Sequence, residues 1–271
     1  MSDEQAMGTG VPQLFGRQLK RLRTWSGMGR AELGARTGYS ESTIASYEQG
    51  RRIPPRNFIV QSDEVLDAHG VLLEMVDEME RAQYPPFFQD AAKLEKEAVA
   101  LHLFAVQAVP GLLQTGEYAR AVFTMRRPLL DEEVVDQRVT ARLARQAIFS
   151  RKPAPIISFV MEEMILHRRL GGKAVMRGQL EQILLAGQQR NVEIQVMPNH
   201  REEHAALAGP FTLIETEEGR RIAYAEVHAY SRLFSDRRTV RELEEQYGLL
   251  RAQALTPRES LAYVEKLLGE T

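Results

Sequence analysis

The sequence contains no cysteine in 271 residues. Disulfides, thiolate metal ligands and cysteine nucleophiles are thereby excluded. No apolar run approaches the roughly 18 residues that a membrane-spanning helix needs. The opening stretch MSDEQAMGTG has neither the basic start nor the apolar middle of a secretion signal. Internal repeats and low-complexity tracts are missing as well. Net charge is small, −2, with 44% hydrophobic and 27% charged residues. The expectation is a globular cytoplasmic protein, at this length with two cores rather than one.

The small net charge conceals an uneven distribution. Residues 12–56 hold nine arginines and lysines against three glutamates, whereas residues 57–83 hold seven acids against Arg81. A basic block followed by an acidic one fits a phosphate-facing surface backed by segments turned away from it. Solvated helix faces explain the same pattern equally well.

Residues 1–11 read as a disordered leader. Pro12 suits the first turn of a helix, and Phe15, Leu19 and Leu22 then recur at helical spacing. Further helices are expected at 30–37, 40–49, 56–68 and 71–83, before Tyr84-Pro85-Pro86 breaks the pattern. Residues 12–83 thus form an all-α, five-helix domain. Residues 87–271 read as a larger α+β domain with a small sheet, making the chain multidomain. Its helices are expected at 90–104, 115–123, 131–149, 162–169, 174–190, 235–254 and 257–268. Its strands are expected at 155–161, 192–197, 210–215 and 221–227, where β-branched and aromatic residues concentrate, with residues 217–219 a turn.

The run RAELGARTGYSESTIASYEQG, residues 30–50, carries the chemistry. Two helices meeting at a sharp angle need a small residue where they touch, which Gly34 supplies, while Gly38 can take a positive φ and turn the chain. Leu33, Ile44 and Tyr47 fall where the pair must bury apolar groups against the first helix. Ser40 suits the N-cap of the second of the pair. The first turn of that helix, Glu41, Ser42 and Thr43, would enter the major groove of double-stranded DNA, with Ser46 one turn on along the same face. Arg51 and Arg52 follow it, placed to grip the phosphate backbone. Glu41 either accepts from a cytosine amino group or satisfies the helix dipole. Tyr47 is expected in the core, Trp25 as a cap on that core, and Glu48 in a local hydrogen bond or ion pair. Arg17 and Lys20 are as readily solvated as phosphate-bound.

Over residues 12–80 this pattern resembles the phage-repressor-like (Xre-type) helix-turn-helix family. The ordered set Ala31-Glu32-Leu33, Gly38, Ser40, Ile44, Glu48, Gly50 and Pro54 carries the resemblance. Where that family often has glutamine opening the first of the paired helices, Arg30 stands here and suggests a phosphate contact.

Three fragments of the C-terminal region invite chemical readings that the sequence does not sustain. His200 and His204 are four apart, but Pro198-Asn199 before them points to a loop rather than a zinc-binding helix. Gly171-Gly172-Lys173 lacks the remaining residues of a phosphate loop. Glu162-Glu163 and Glu202-Glu203 are acid pairs without a partner set. Neither enzyme, cofactor nor metal is expected. The segments VPGLLQTGEYARAV (109–122), RLARQ (142–146), FVMEEMILHRRLGG (159–172), QLEQIL (179–184), VEIQVMP (192–198), HAALAGPFTLIE (204–215) and YAEV (224–227) say more. In that order they resemble the C-terminal domain of the actinobacterial, antitoxin-like WhiJ type of regulator. The resemblance implies a transcriptional regulator encoded beside a small BldB-like protein that binds it. The matched residues either maintain the fold, with Pro110-Gly111 a turn, Leu112, Leu113 and Tyr118 core, and Arg145-Gln146 a buried polar anchor, or line a pocket.

The sequence therefore leads to a sequence-specific, nucleoid-associated regulator, usually a repressor, whose C-terminal domain senses a small protein or a small-molecule effector. Because one such DNA-binding unit reads few base pairs, a homodimer is expected, using either the helix at 131–149 or the terminal helices. The alternative is an antitoxin-like protein that chiefly sequesters its BldB-like partner and autoregulates its own promoter.

Overall fold

In a computed structural model, which describes residues 3–82, 84, 88–227 and 230–270, the chain divides into two compact units. One comprises Met1–Gln89 with Asp131–Arg138, the other Asp90–Leu130 with Val139–Thr271. The expected break at Pro85-Pro86 lies outside the described residues.

The first unit is helical. Helix α1 runs Asp3–Trp25, so the stretch read as a disordered leader is helical from residue 3 and Pro12 lies inside the helix rather than at its first turn. A proline there removes one ladder bond without ending the helix. Helices α2 (Arg30–Thr37) and α3 (Glu41–Glu48) follow, then α4 (Arg56–Val65) and α5 (Val76–Ala82). Phe15 and Leu19 of α1, Leu33 of α2, Ile44 and Tyr47 of α3 and Phe58 and Ile59 of α4 are almost wholly buried together. Helix α4 stops short of the expected residue 68. Beyond it the Asp63 carboxylate accepts from the N–H groups of Gly70 and Leu72 at 2.8 and 2.9 Å, pinning a turn that includes Asp67 and His69 at positive φ. The expected fifth helix is a 3-10 turn at Leu73–Met75 leading into α5.

The second unit is built on one six-stranded sheet. Its elements are α6 (Gln89–Glu97), β1 (Ala98–Ala105), α7 (Gly116–Thr124), α8 (Glu132–Ala144, which starts in the first unit's segment), β2 (Ile156–Glu162), α9 (Glu163–His167) and α10 (Lys173–Gly187). There follow β3 (Val192–Met197), β4 (Phe211–Thr216), β5 (Arg221–Val227), β6 (Tyr230–Phe234), α11 (Arg237–Gln253) and α12 (Pro257–Glu270). The strand order is β3-β2-β1-β4-β5-β6, parallel among the first three and antiparallel from β1 through β6. One face buries Ile157, Phe159, Ile194 and Val196 with Leu180 and Ile183 of α10 and Val264 and Leu267 of α12. The other buries Phe104, Val160, Leu213 and Ala223 with Val240, Tyr247 and Leu250 of α11. Both terminal helices thus spend their apolar stripes on the sheet.

Two strands depart from expectation. Residues 98–104 are β1, a central strand, not the end of a helix. Its buried positions Ala98, Leu101 and Phe104 are spaced by three, which mimics helical period: a register shift falls between Ala98 and Ala100, and Leu101 and Phe104 belong to the cores on opposite faces of the sheet. Strand β6 is short and carries no alternating apolar pattern. The helix expected through residue 149 ends at Ala144 and tightens into a 3-10 turn, Arg145–Ser150.

Candidate nucleic-acid interface

The α2–turn–α3 element is held by close backbone approach. A Cβ added at Gly34 would lie 2.3 Å from the Tyr39 carbonyl oxygen, and one at Gly16 of α1 would lie 2.4 Å from that of Glu48. Only glycine fits at either point. Gly38 ends α2 at φ 78°, and Tyr39 N–H bonds back to the Gly34 carbonyl at 2.8 Å. Ser40 caps α3, its Oγ accepting from the Thr43 N–H at 3.2 Å. The cap hydroxyl also contacts Ser42 Oγ at 2.9 Å and Thr43 Oγ1 at 2.8 Å, so the three hydroxyls form one cluster.

Tyr47 lies in the core, its ring 4.6 Å from Phe58 and 5.9 Å from Tyr39. Burial pushes its phenol up to about 12. Glu48 is also buried, and its carboxylate bridges α1 and α2. Oε1 accepts from Arg23 Nε at 2.5 Å and Oε2 from Arg30 Nε at 2.7 Å. Arg23 Nη1 donates further to the Met28 carbonyl at 2.7 Å. Trp25 departs from expectation. It is 69% exposed and does not cap the core, with the Arg21 guanidinium stacked 4.3 Å from its ring. Being at the last residue of α1, it falls off the buried Phe15–Leu19 stripe.

The residues singled out for DNA occupy two settings. Ser40, Glu41, Ser42, Arg51 and Arg52 are exposed; Thr43, Ser46 and Arg30 are half-buried. Ser42 and Ser46 share one face of α3 by helical spacing. Arg30 opens α2, whose N-cap, Gly29, offers no side-chain bond to the first-turn N–H groups. Glu48 engages Arg30 through Nε. The expected ion pair at Glu48 is present, but sequence reasoning missed its partners Arg23 and Arg30, and missed Gly16. The contact partners are up to 32 residues apart along the chain, from Gly16 to Glu48, and no local pattern links them.

In the second unit the PGLLQT segment is tied down by side-chain amides. Gln114 Nε2 donates to the Val109 carbonyl at 2.7 Å, and its Oε1 accepts from Arg142 Nη1 at 2.7 Å. Gln146 Nε2 donates to the Gln114 carbonyl at 2.7 Å. Gln179 spans the next peptide, donating to the Leu113 carbonyl at 2.6 Å and accepting from Thr115 N–H at 2.9 Å. Arg145 forms a two-bond pair with Glu95 at 2.7 and 2.6 Å. The motif residues are engaged in holding the fold. His204 uses both ring nitrogens locally, Nε2 with Glu162 Oε1 at 2.7 Å and Nδ1 with the Ala206 N–H at 3.1 Å. Among the described residues no helix is long and apolar enough to cross a membrane.

A glycine-tightened helix pair whose second helix opens on an exposed polar turn defines a helix-turn-helix protein, the class of DNA-binding regulators. A family described as a helix-turn-helix domain matches residues 14–75. A second, described as a domain of unknown function (DUF5753), matches residues 88–266, more than half of the chain. The chain belongs to the DUF5753 family, with a helix-turn-helix domain ahead of it. No curated protein and no solved structure matches significantly.

Proposed function

We propose that the protein is a dimeric, sequence-specific transcriptional regulator of the Xre type, acting as a repressor in the cytoplasm. Its DUF5753 unit serves as the input end for a small protein or ligand, as in the WhiJ-like regulators it resembles. The observation that carries this reading is the exposed polar turn at the start of α3. Ser40, Glu41, Ser42 and Thr43 present hydroxyls and a carboxylate to a major groove, Ser46 continues the row, and Arg51 and Arg52 follow it. Arg30, steadied by Glu48, grips a phosphate through its remaining N–H groups. Selection of bound duplexes from a random library by the full chain tests this. Two enriched half-sites about one helical turn apart support it. A selected pool indistinguishable from the starting library rules it out.

A further inference from the structure

The sheet of the second unit has two edges, and they end differently. At β3 the chain leading into α12 runs alongside: Leu255 N–H donates to the Val196 carbonyl at 2.9 Å, and Ser260 Oγ accepts from Val196 N–H at 2.9 Å. Gln195 Nε2 adds a bond to the Leu255 carbonyl at 2.8 Å. That edge is covered. At the opposite end β6 is the last strand, and no strand lies beyond it among the described residues.

The ladder between β5 and β6 fixes which groups face outward. Val227 pairs with Tyr230 although only two residues separate them in the sequence, and a pairing that close is a hydrogen-bonded one. Alternation along the ladder then directs the N–H and C=O of Leu233 away from β5, toward the edge. The Leu233 side chain is 39% exposed, beside an exposed Arg232 that is the only charge on the strand. Edges are ordinarily protected by charge, proline or a covering element.

We propose that β6 pairs antiparallel with β6 of a second copy of this chain, joining two sheets across a two-fold axis at Leu233. The choice of occupant rests on self-complementarity, because a two-fold interface must match itself. Centring the pair on Arg232 would set two guanidinium groups directly opposite, which is unfavourable. Centring it on Leu233 sets leucine on leucine and each Arg232 against the Phe234 ring of the other molecule. Arg232 already lies 4.8 Å from Phe234 within its own strand, the cation–π contact that the cross-strand pairs repeat. The interface supplies the dimer that the proposed function calls for, and rests on that reading only for its purpose.

The absence of native cysteine makes the test direct. Opposed residues of a hydrogen-bonded antiparallel pair have Cα atoms about 5.5 Å apart, within disulfide range. Full-length Leu233→Cys is expected to form a covalent dimer under mild oxidation. Leu249→Cys, at a 56% exposed position of α11, is expected to stay unlinked. Sedimentation of the unaltered chain should show dimer, and Leu233→Lys should raise its dissociation constant about 100-fold by opposing two like charges. A monomeric unaltered chain overturns the proposal, as does a dimer that survives Leu233→Lys. If Leu233→Lys fails to fold, the cysteine arm decides: no covalent dimer overturns the proposal. A chain that dimerises through Leu233 but binds no duplex leaves the interface standing and removes the DNA-binding reading. Duplex binding by a chain that stays monomeric does the reverse.

Discussion

Replacing Glu48 by glutamine asks whether one buried carboxylate ties three helices together. The Glu48 side chain is 1% exposed, with Arg23 Nε 2.5 Å from one oxygen and Arg30 Nε 2.7 Å from the other. Glutamine keeps the volume and one acceptor but turns an amide N–H2 toward the second arginine, donor against donor. Breaking a fully buried pair costs about 3–5 kcal/mol. Here the arginine side chains are 12% and 33% exposed and can turn partly to water, and one bond survives. A loss of about 2 kcal/mol is therefore expected. That corresponds to a roughly 30-fold increase in local opening. Hydrogen exchange on the full chain, read by mass spectrometry, should show that loss of protection in α2 and α3 while β2 amides stay unchanged. Unaltered protection in α2 and α3, or an equal loss in β2, would refute the reasoning.

Three further outcomes follow from the packing. Gly16→Ala puts a Cβ 2.4 Å from the Glu48 carbonyl oxygen, which should cost about 2–3 kcal/mol in thermal unfolding followed by Trp25 fluorescence. Gly248→Ala, where an added Cβ meets nothing within 4 Å, should instead be neutral or stabilising by under about 1 kcal/mol. Arg145→Ala strands Glu95, whose side chain is 9% exposed, and should lower the denaturant midpoint of the second unit by an amount equivalent to about 3 kcal/mol. Burial, aided by Arg251, holds His102 below its ordinary value of 6.5 against the raising influence of Glu215, Glu193 and Glu244. The unfolded chain therefore takes up this proton first as pH falls, so the His102 contribution to stability is full above pH 6.5 and declines below it. His102→Gln should flatten the fall in melting temperature on acidification, and an unchanged slope would contradict that assignment.

Much of this architecture was legible because its signals are local. The glycines at 34 and 38, the Ser40 cap and the apolar positions Leu33, Ile44 and Tyr47 lie within one short run, and each is used as its chemistry suggested. Strands β3 and β5 read directly as β-rich segments between turns. What escaped depends on distant partners. β1 is a strand because β2 and β4 lie on either side of it, while its own buried residues fall at helical spacing. Trp25 is apolar enough for a core but, at the end of α1, falls off the buried face and is exposed. Gly16 and the Arg23–Glu48–Arg30 bridge depend on helix packing that no single segment encodes.

The central claim is that α3 reads DNA while the flanking arginines hold its backbone. Titrating a selected duplex with the full chain over a series of salt concentrations tests it most directly. Arg30→Ala and Arg51→Ala should each weaken binding to every sequence and lower the slope of log affinity against log salt by about one. Ser42→Ala with Ser46→Ala should keep that slope and alter which duplexes are preferred. Equal, sequence-independent losses from all four substitutions, or no salt-dependent binding by the unaltered chain, would contradict it.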